Sequence, residues 1–419
     1  MRSTALGLCI PVLLFATTIL PLHAQPIVQP SGPLAALEGE LTLNRALQMA
    51  TQKSAVIAGA SNELNAVKGA AVQAGLRPNP VLSTELEDTP KGTRKTTVLL
   101  GIPLEIHGER ESRVLAAQTA VDAADADLGS TRSDVVATVM QAFFELVIAQ
   151  ERLALAQGSA QVAQRATEAT AKHVSAGRIS PVDETRARVA QATSELEVNE
   201  AASELESLRY ALAATWGSST PGFSTVRANV SELPRDIPSD VLEKRIARAP
   251  LLVAARAELA RRKALRDVEG RRRYANPTLS IGAKRDQELA RTELVVGLSI
   301  PLPLFDRNQG NLQEASSRVD KAQSAFEATE VRVNAELRRA AAKLKAARTS
   351  AQTFTLEILR GAENAYRSTT RGFEAGKFSF LDVLDAQRTF FQARSQYLTV
   401  VASAYTARAT IDRLLGAEY

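Results

Sequence analysis

Four segments of the chain alternate apolar and other residues with a period of two. In residues 292–300, Leu294, Val296, Leu298 and Ile300 fall on one face, and mostly polar or small residues fall on the other. The same alternation occurs in residues 79–87, 97–102 and 276–284. The polar connectors TPKGTRK and QELAR join these segments in pairs, so the pattern predicts two β-hairpins, at about residues 79–106 and 276–304.

Each predicted strand has about ten residues, the length of a strand that crosses a membrane. Alternation alone equally allows a soluble antiparallel sheet that packs its apolar face on helices. The hairpins, however, lie between helical tracts that are too long to cover a small sheet.

These tracts show helical periodicity instead. Apolar residues step by three and four at Val136, Val139, Phe143 and Leu146, which indicates the seam of a coiled coil. No proline occurs between Pro103 and Pro181, or anywhere after Pro303. Aromatic residues make up only 5% of the chain, and Ala, Glu, Gln, Arg and Leu are abundant. This composition favours long helices packed through small residues.

The two halves of the chain repeat the same order of parts. NPVLS at 79–83 matches NPTLS at 276–280, IPL at 102–104 matches IPL at 300–302, and AGRISPVD at 176–183 matches AGKFSFLD at 375–382. The offset drifts only from 197 to 199 residues, which indicates an internal duplication. We therefore predict a first repeat at 40–217, a proline-containing linker at 218–239 and a second repeat at 240–419. Turns at about 176–181 and 375–380 divide the long helical tracts.

The N-terminus has the features of an export signal. An early arginine precedes an apolar stretch and the small Ala24, so residues 1–24 are predicted to be a secretory signal and residues 25–39 an extended tail. A membrane anchor is the alternative, but Pro11 and Pro21 interrupt a short run. The single cysteine, Cys9, lies inside this signal, so the mature chain would form no disulfide.

Export of the chain limits the ways in which it could be integrated into a membrane. No later segment reads as about twenty consecutive apolar residues, so integration into a membrane would have to use β-strands. Four strands leave unpaired edges that lipid does not tolerate, and the smallest barrels have about eight strands, so several chains would have to pool their hairpins. The net charge of +5 is small for 419 residues and its charges are interspersed, which argues against nucleic-acid binding.

With duplication, hairpins and turn motifs together, the chain resembles the TolC-like outer-membrane efflux proteins over nearly all its mature length. The stretches SIPLPLFDRNQGN, AGRISPVDETRARVAQA and FLDVLDAQR are most similar to the branch that serves cobalt, zinc and cadmium resistance pumps. The resemblance implies a mainly α-helical homotrimer with a twelve-stranded barrel in outer-membrane lipid and a coiled-coil tunnel in the periplasm. It also implies a periplasmic adaptor and an inner-membrane pump of the resistance-nodulation-division type as partners.

The resemblance assigns roles to particular residues. The helix-turn-helix tips would contact the adaptor through Gly177, Arg178, Ser180, Gly376, Lys377 and Ser379. Asp382 and Asp385 match an acid pair that lines the tunnel entrance, although acids at a helix start also complement the helix dipole. In the first tip, Arg186 stands where Asp385 falls in the second. Pro103, Pro301 and Pro303 would mark where strands leave the barrel, because proline removes ladder donors.

The sequence offers no sign of an enzyme, a cofactor or a tight metal site. The predicted mature chain has two histidines, His107 and His173, and two methionines, Met49 and Met140, and none of these are neighbours. Tight transition-metal sites usually need three or four clustered nitrogen or sulfur ligands. The resemblance to the metal-resistance branch implies passive conduction of divalent heavy-metal cations, namely cobalt, zinc, cadmium and as a further candidate nickel. A duct for drugs or type I secreted polypeptides, or a periplasmic coiled-coil scaffold, remains the alternative.

Overall fold

The computed structural model describes residues 39–88, 90, 92–228 and 232–416. The predicted signal and almost all of the predicted tail lie outside the described residues. The described helices, in chain order, are α1 (Leu43–Lys53), α2 (Ala55–Ala74), α3 (Glu109–Ser175), α4 (Pro181–Ala214), α5 (Ser239–Ile246), α6 (Pro250–Arg271), α7 (Gln309–Thr353), α8 (Leu359–Glu374) and α9 (Phe380–Leu415). The described strands are β1 (Glu40–Thr42), β2 (Val81–Glu87), β3 (Lys95–Pro103), β4 (Thr225–Arg227), β5 (Thr278–Asp286) and β6 (Arg291–Ser299).

The two predicted hairpins are present and join into one antiparallel sheet. β2 pairs with β3 and β5 pairs with β6, while β3 and β5 pair with each other to give the order β2-β3-β5-β6. Val98 lies opposite Ala283 across the central pair of strands, which fixes the register between the halves of the chain. In each half of the chain, helices precede and follow the hairpin.

Each half of the chain has its own hydrophobic core. In the first half, α3 contributes Val139, Phe143 and Leu146, which confirms these positions of the predicted seam as buried. In the second half, α7 contributes Val333, Leu337 and Leu344, which pack with residues of α5, α6 and α9. A ring stack between Phe144 and Tyr405, with centroids 3.8 Å apart, joins the halves.

The region predicted as a linker contains regular structure that the sequence analysis missed. β4 pairs in parallel with β1, and Leu41 and Val226 of this small sheet are buried in the first core. The described chain thus has six strands rather than four. The linker is also held to the second half, because the Tyr405 hydroxyl donates to the Glu232 carbonyl at 2.6 Å. Three-residue strands are too short to show alternation, so only the long-range pairing reveals them.

Two features of the long helices also differ from expectation. A π-helical segment, Phe354–Ile358, separates α7 from α8, although no proline marks it. In addition, α3 contains an 18-residue window of mean hydropathy 1.2, long and apolar enough by length and composition to cross a membrane. This window was not identified from the sequence, because it is not a run of about twenty consecutive apolar residues. Of this window, 44% is buried within the protein.

Candidate functional site

One face of the four-stranded sheet is apolar across all its strands and is open to the surroundings. The register aligns Leu82, Leu100, Ile281 and Val296 in one row. One adjacent row consists of Thr84, Val98, Ala283 and Leu294. The row on the other side consists of Ile102, Leu279 and Leu298. Many of these side chains are strongly exposed, with Leu82 at 71% and Leu294 at 76%. A face of this size without cover marks an interaction with lipid or protein.

The opposite face of the sheet is mostly polar or carries small residues, with Val81, Leu99 and Val295 as its larger apolar side chains. Lys284 donates to the Glu87 carboxylate at 3.1 Å, across the position of β3. Lys95 of β3 lies 3.8 Å from the carboxylate of Asp286 on β5. Alternation of an apolar outer face with a polar inner face is the pattern of a membrane barrel.

The outer strands of this sheet, β2 and β6, have unpaired edges among the described residues. Pro103 is the last residue of β3, whereas β6 ends at Ser299, so Pro301 and Pro303 follow the strand. Ile300, which we placed on the strand face, lies one residue beyond the strand. The Leu104 amide donates to the Pro277 carbonyl at 2.9 Å. The IPL motif of the first half is therefore held by the NP motif of the second.

Two helix-turn-helix tips have the same backbone geometry. At the first, the Gly177 amide donates to the Val174 carbonyl and the Arg178 amide to the His173 carbonyl, both at 2.9 Å. At the second, the Gly376 amide donates to the Phe373 carbonyl at 2.9 Å and the Lys377 amide to the Gly372 carbonyl at 2.7 Å. These pairs of bonds form Schellman motifs, which need a left-handed residue.

Gly177 and Gly376 supply the left-handed residue of these motifs. Gly177 has φ 68° and Gly376 has φ 73°, as expected for glycine at a reversal between helices. The tip side chains predicted to contact a partner are exposed, namely Arg178, Ser180, Lys377 and Ser379. The two tips are neighbours in space, because the rings of His173 and Phe373 meet edge to face with centroids 5.6 Å apart.

The acids after the two tips differ in their surroundings. After the first tip, Asp183 and Glu184 are paired with Arg186 and Arg188, at 3.5 and 2.6 Å. After the second, Asp382 and Asp385 are exposed one helical turn apart. Asp382 forms a capping box with Ser379, and those hydrogen bonds hold the pKa of its carboxyl below the ordinary value. Asp385 forms no hydrogen bond or ion pair with any described residue.

The described part of the chain contains no group of three or more His, Cys, Asp and Glu side chains that could hold a metal ion. His107 stacks on Tyr274 near the sheet, while His173 lies at a tip, so the two histidines are far apart. The site is thus a set of surfaces: an uncovered apolar sheet face, unpaired strand edges and two adjacent tips, of which the second carries acids without ion-pair partners.

The family model for outer membrane efflux proteins matches the chain twice, over residues 44–218 and 241–417. The chain belongs to the outer membrane efflux protein family. It is therefore an efflux component of the outer membrane, and the family is not one of enzymes.

A relative and two solved structures illustrate the similarity. The chain is 47% identical over 378 residues to the cobalt-zinc-cadmium resistance protein CzcC of Cupriavidus metallidurans, with 90% of each chain covered. A membrane protein from Pseudomonas aeruginosa shares the fold at TM-score 0.79 and 20% identity, covering 89% of this chain and 92% of that one. CusC, studied for folding and transmembrane channel formation, shares it at TM-score 0.76 and 16% identity, covering 94% and 96%.

Sequence reasoning missed several residues that build these surfaces. Gly282 of β5 lies so close to Val98 of β3 that an added Cβ would overlap the Val98 carbonyl oxygen. Asn276 of the NP motif donates to the Glu109 carboxylate at 3.1 Å when its amide nitrogen faces that group. The strand glycine was a usable signal, since glycine inside a strand often marks close backbone approach.

Proposed function

We propose that three copies of this chain form an outer-membrane duct, with twelve pooled strands closed into one barrel. The observation that carries the proposal is the sheet itself, with three apolar rows open on one face and unpaired edges on β2 and β6. In lipid, every backbone group needs a hydrogen-bond partner, and four strands cannot close alone. Pairing β6 of one copy with β2 of the next satisfies both edges.

The helices of the three copies continue the barrel as a periplasmic tunnel. At 67 residues and 1.5 Å per residue, α3 extends roughly 100 Å, far longer than a bilayer is thick. The tips lie at the turns between these helices, and we propose that they contact a periplasmic adaptor joined to an inner-membrane pump. Arg178 and Lys377 offer exposed donors there, Ser180 and Ser379 are exposed beside them, and Gly177 and Gly376 set the turn.

The proposed cargo is a divalent heavy-metal cation, such as cobalt, zinc or cadmium. The identity of 47% to a cobalt-zinc-cadmium resistance protein supports this cargo more than any motif does. Asp382 and Asp385 support it physically, because six carboxylates around a threefold axis would attract cations. A conduit needs weak binding so that cargo leaves as readily as it enters, and selection of the metal then belongs to the pump.

Pro103, Pro301 and Pro303 fit the same proposal as the points where strands leave the barrel. Their missing N–H groups end the ladder before the helices begin. Pro103 closes β3, and the other two follow β6 within four residues.

The test of cargo is growth of a deletion strain across graded cobalt, zinc, cadmium, nickel, copper and silver, with dyes and detergents alongside. Sensitivity confined to some of the divalent metals, reversed by the wild-type gene, is the expected result. Broad sensitivity to organic compounds with metals unaffected would favour a duct for drugs. Release from membranes by high salt alone would favour a periplasmic scaffold.

A further inference from the structure

The apolar face of the sheet continues beyond the end of β6. After Leu298, the alternate residues Ile300, Leu302 and Leu304 remain 53%, 74% and 64% exposed. Phe305 follows and is 91% exposed, the highest value among the large hydrophobic side chains described. Exposed apolar residues therefore extend from the sheet into the segment that leads to α7.

A pocket with two arginines adjoins this segment. Its volume is about 620 Å³, and the residues that line it are Arg273, Leu304, Phe305, Arg307, Gln309, Leu312, Gln313 and Ser316. We call it the exit pocket. Its lining contains two guanidinium groups and no carboxylate. Arg273 makes no hydrogen bond or ion pair with any described residue, and the Arg307 side chain makes one, from Nε to the Pro303 carbonyl at 3.2 Å.

Two acids close in sequence to the arginines of the exit pocket, Asp306 and Glu269, accept hydrogen bonds from other groups. The carboxylate of Asp306 accepts from the Asn308 amide at 2.9 Å. The carboxylate of Glu269 accepts from Asn308 Nδ2 at 2.7 Å and from Arg272 at 2.8 Å. Neither carboxylate forms an ion pair with Arg273 or Arg307.

In the corresponding segment of the first half, an arginine is paired with a carboxylate. There, Arg113 pairs with Glu105 at 2.5 Å and donates to the Ala74 carbonyl at 3.1 Å. The hydrogen bond between Arg113 and Glu105 lowers the pKa of the Glu105 carboxyl and raises the pKa of the Arg113 guanidinium. At the 198-residue offset, His107 and Glu109 replace Phe305 and Arg307. Leu76 and Glu109 stand at the positions that match Arg273 and Arg307, so this pair of arginines has no equivalent at the matching positions of the first half.

We propose that the exit pocket binds an anionic phospholipid of the leaflet that meets the helical part of the protein. Guanidinium groups bind phosphate through paired charge-assisted hydrogen bonds. Aromatic and aliphatic side chains beside them suit the boundary between headgroup and acyl chain. The proposal rests on the proposed placement of the sheet in the membrane, which puts the end of β6 at that boundary.

The experiment uses the full-length protein, purified in detergent and titrated with dioleoylphosphatidylglycerol or dioleoylphosphatidylcholine. Bound lipids are counted by native mass spectrometry, and melting temperature is recorded in parallel. The test variant is R273Q/R307Q. The matched control is R332Q/R360Q, which removes the same charge from exposed positions on α7 and α8. A third variant, F305S, tests the apolar part of the pocket.

Wild type and control should retain phosphatidylglycerol in preference to phosphatidylcholine. The R273Q/R307Q protein should lose about tenfold in apparent affinity for phosphatidylglycerol, as expected when charge-assisted phosphate contacts are removed. F305S should bind both lipids more weakly than wild type does. Equal phosphatidylglycerol binding by R273Q/R307Q and wild type would overturn the proposal.

Two further outcomes would also overturn it. If acyl-free glycerol phosphate protects wild type as well as the lipid does, the pocket binds a free anion. If R273Q/R307Q dissociates into single chains before any lipid is added, the pocket is a contact between copies. Failure of the proposed duct would look different, because wild type itself would then be a single chain in detergent.

Discussion

Ser379 and Asp382 bond each other reciprocally at the start of α9. The Asp382 Oδ2 accepts from the Ser379 backbone amide at 2.8 Å and from its hydroxyl at 2.7 Å, while the Ser379 hydroxyl lies 3.3 Å from the Asp382 amide. Asp382 therefore serves the helix start as a cap. Asp385, one turn on, is not needed for this cap, so the two acids can be separated by mutation.

We predict that Asp385→Asn lowers the cation preference of single channels in planar bilayers and leaves the tip intact. Asp382→Asn should lower that preference and also loosen the tip, because the asparagine carries no charge and replaces the carboxylate of the capping box. Reversal potentials in a salt gradient measure the first effect, and hydrogen exchange of residues 379–384 measures the second. Unchanged selectivity in both variants would contradict a role in charge filtering.

The lowered pKa of Asp382 predicts how the tip responds to acid. Because the folded-state pKa lies below the ordinary value, the cap contributes its full stability above about pH 4, the usual pKa of Asp. That stability is lost only as pH falls through the lower folded-state value. Hydrogen exchange at the tip, corrected for the intrinsic rate, should stay flat from pH 7 to pH 5. A rise in that interval, absent in Asp382→Asn, would contradict the capping geometry.

At the second tip, we predict that Gly376→Val weakens binding of the adaptor while the purified protein keeps its oligomeric state. A β-branched residue at φ 73° costs about 1–2 kcal/mol, whereas asparagine tolerates this region. No atom of the described residues lies within 4 Å of an added Cβ at Gly376, so we attribute the effect to the backbone. Gly376→Asn is the matched control. Equal adaptor crosslinking by both variants would refute the assignment of this tip.

Within the sheet, Gly282→Ala should impair assembly and Gly297→Ala should not. A methyl group at Gly282 would overlap the Val98 carbonyl oxygen, and overpacking of this kind costs about 1–3 kcal/mol. At Gly297 the nearest atom is the Ser280 Cβ at 3.8 Å, an ordinary contact. The yield of oligomer from isolated outer membranes, relative to total protein, measures the difference. Similar yields from the two variants would show that β3 and β5 are not pinned at Gly282.

Local patterns predicted much of the fold. Alternation located the four long strands, and steps of three and four located the buried Val139, Phe143 and Leu146. The duplication located both tip turns, at which Gly177 and Gly376 have positive φ. These features depend on residues that are close in sequence, or on repetition.

Contacts between residues far apart in the chain could not be predicted from the sequence. The pairing of β1 with β4 joins residues far apart in the chain and involves only three residues in each strand. The contact of His173 with Phe373 depends on how two repeats pack, and the π-helical segment has no proline or glycine to mark it. The two acids proposed for the tunnel entrance could not be distinguished from the sequence either. Only the structure shows that Asp382 caps the helix and that Asp385 does not.

The most direct test of the duct is covalent closure of the sheet edges between copies. The chain after residue 24 has no cysteine, so one cysteine at Ser83 of β2 can be combined with single cysteines scanned along residues 292–298 of β6. Oxidation in isolated outer membranes, followed by denaturing electrophoresis, should give crosslinked trimers at one or two positions of the scan and no larger species. Crosslinks that stop at dimers, or none at any position, would contradict the proposed twelve-stranded barrel.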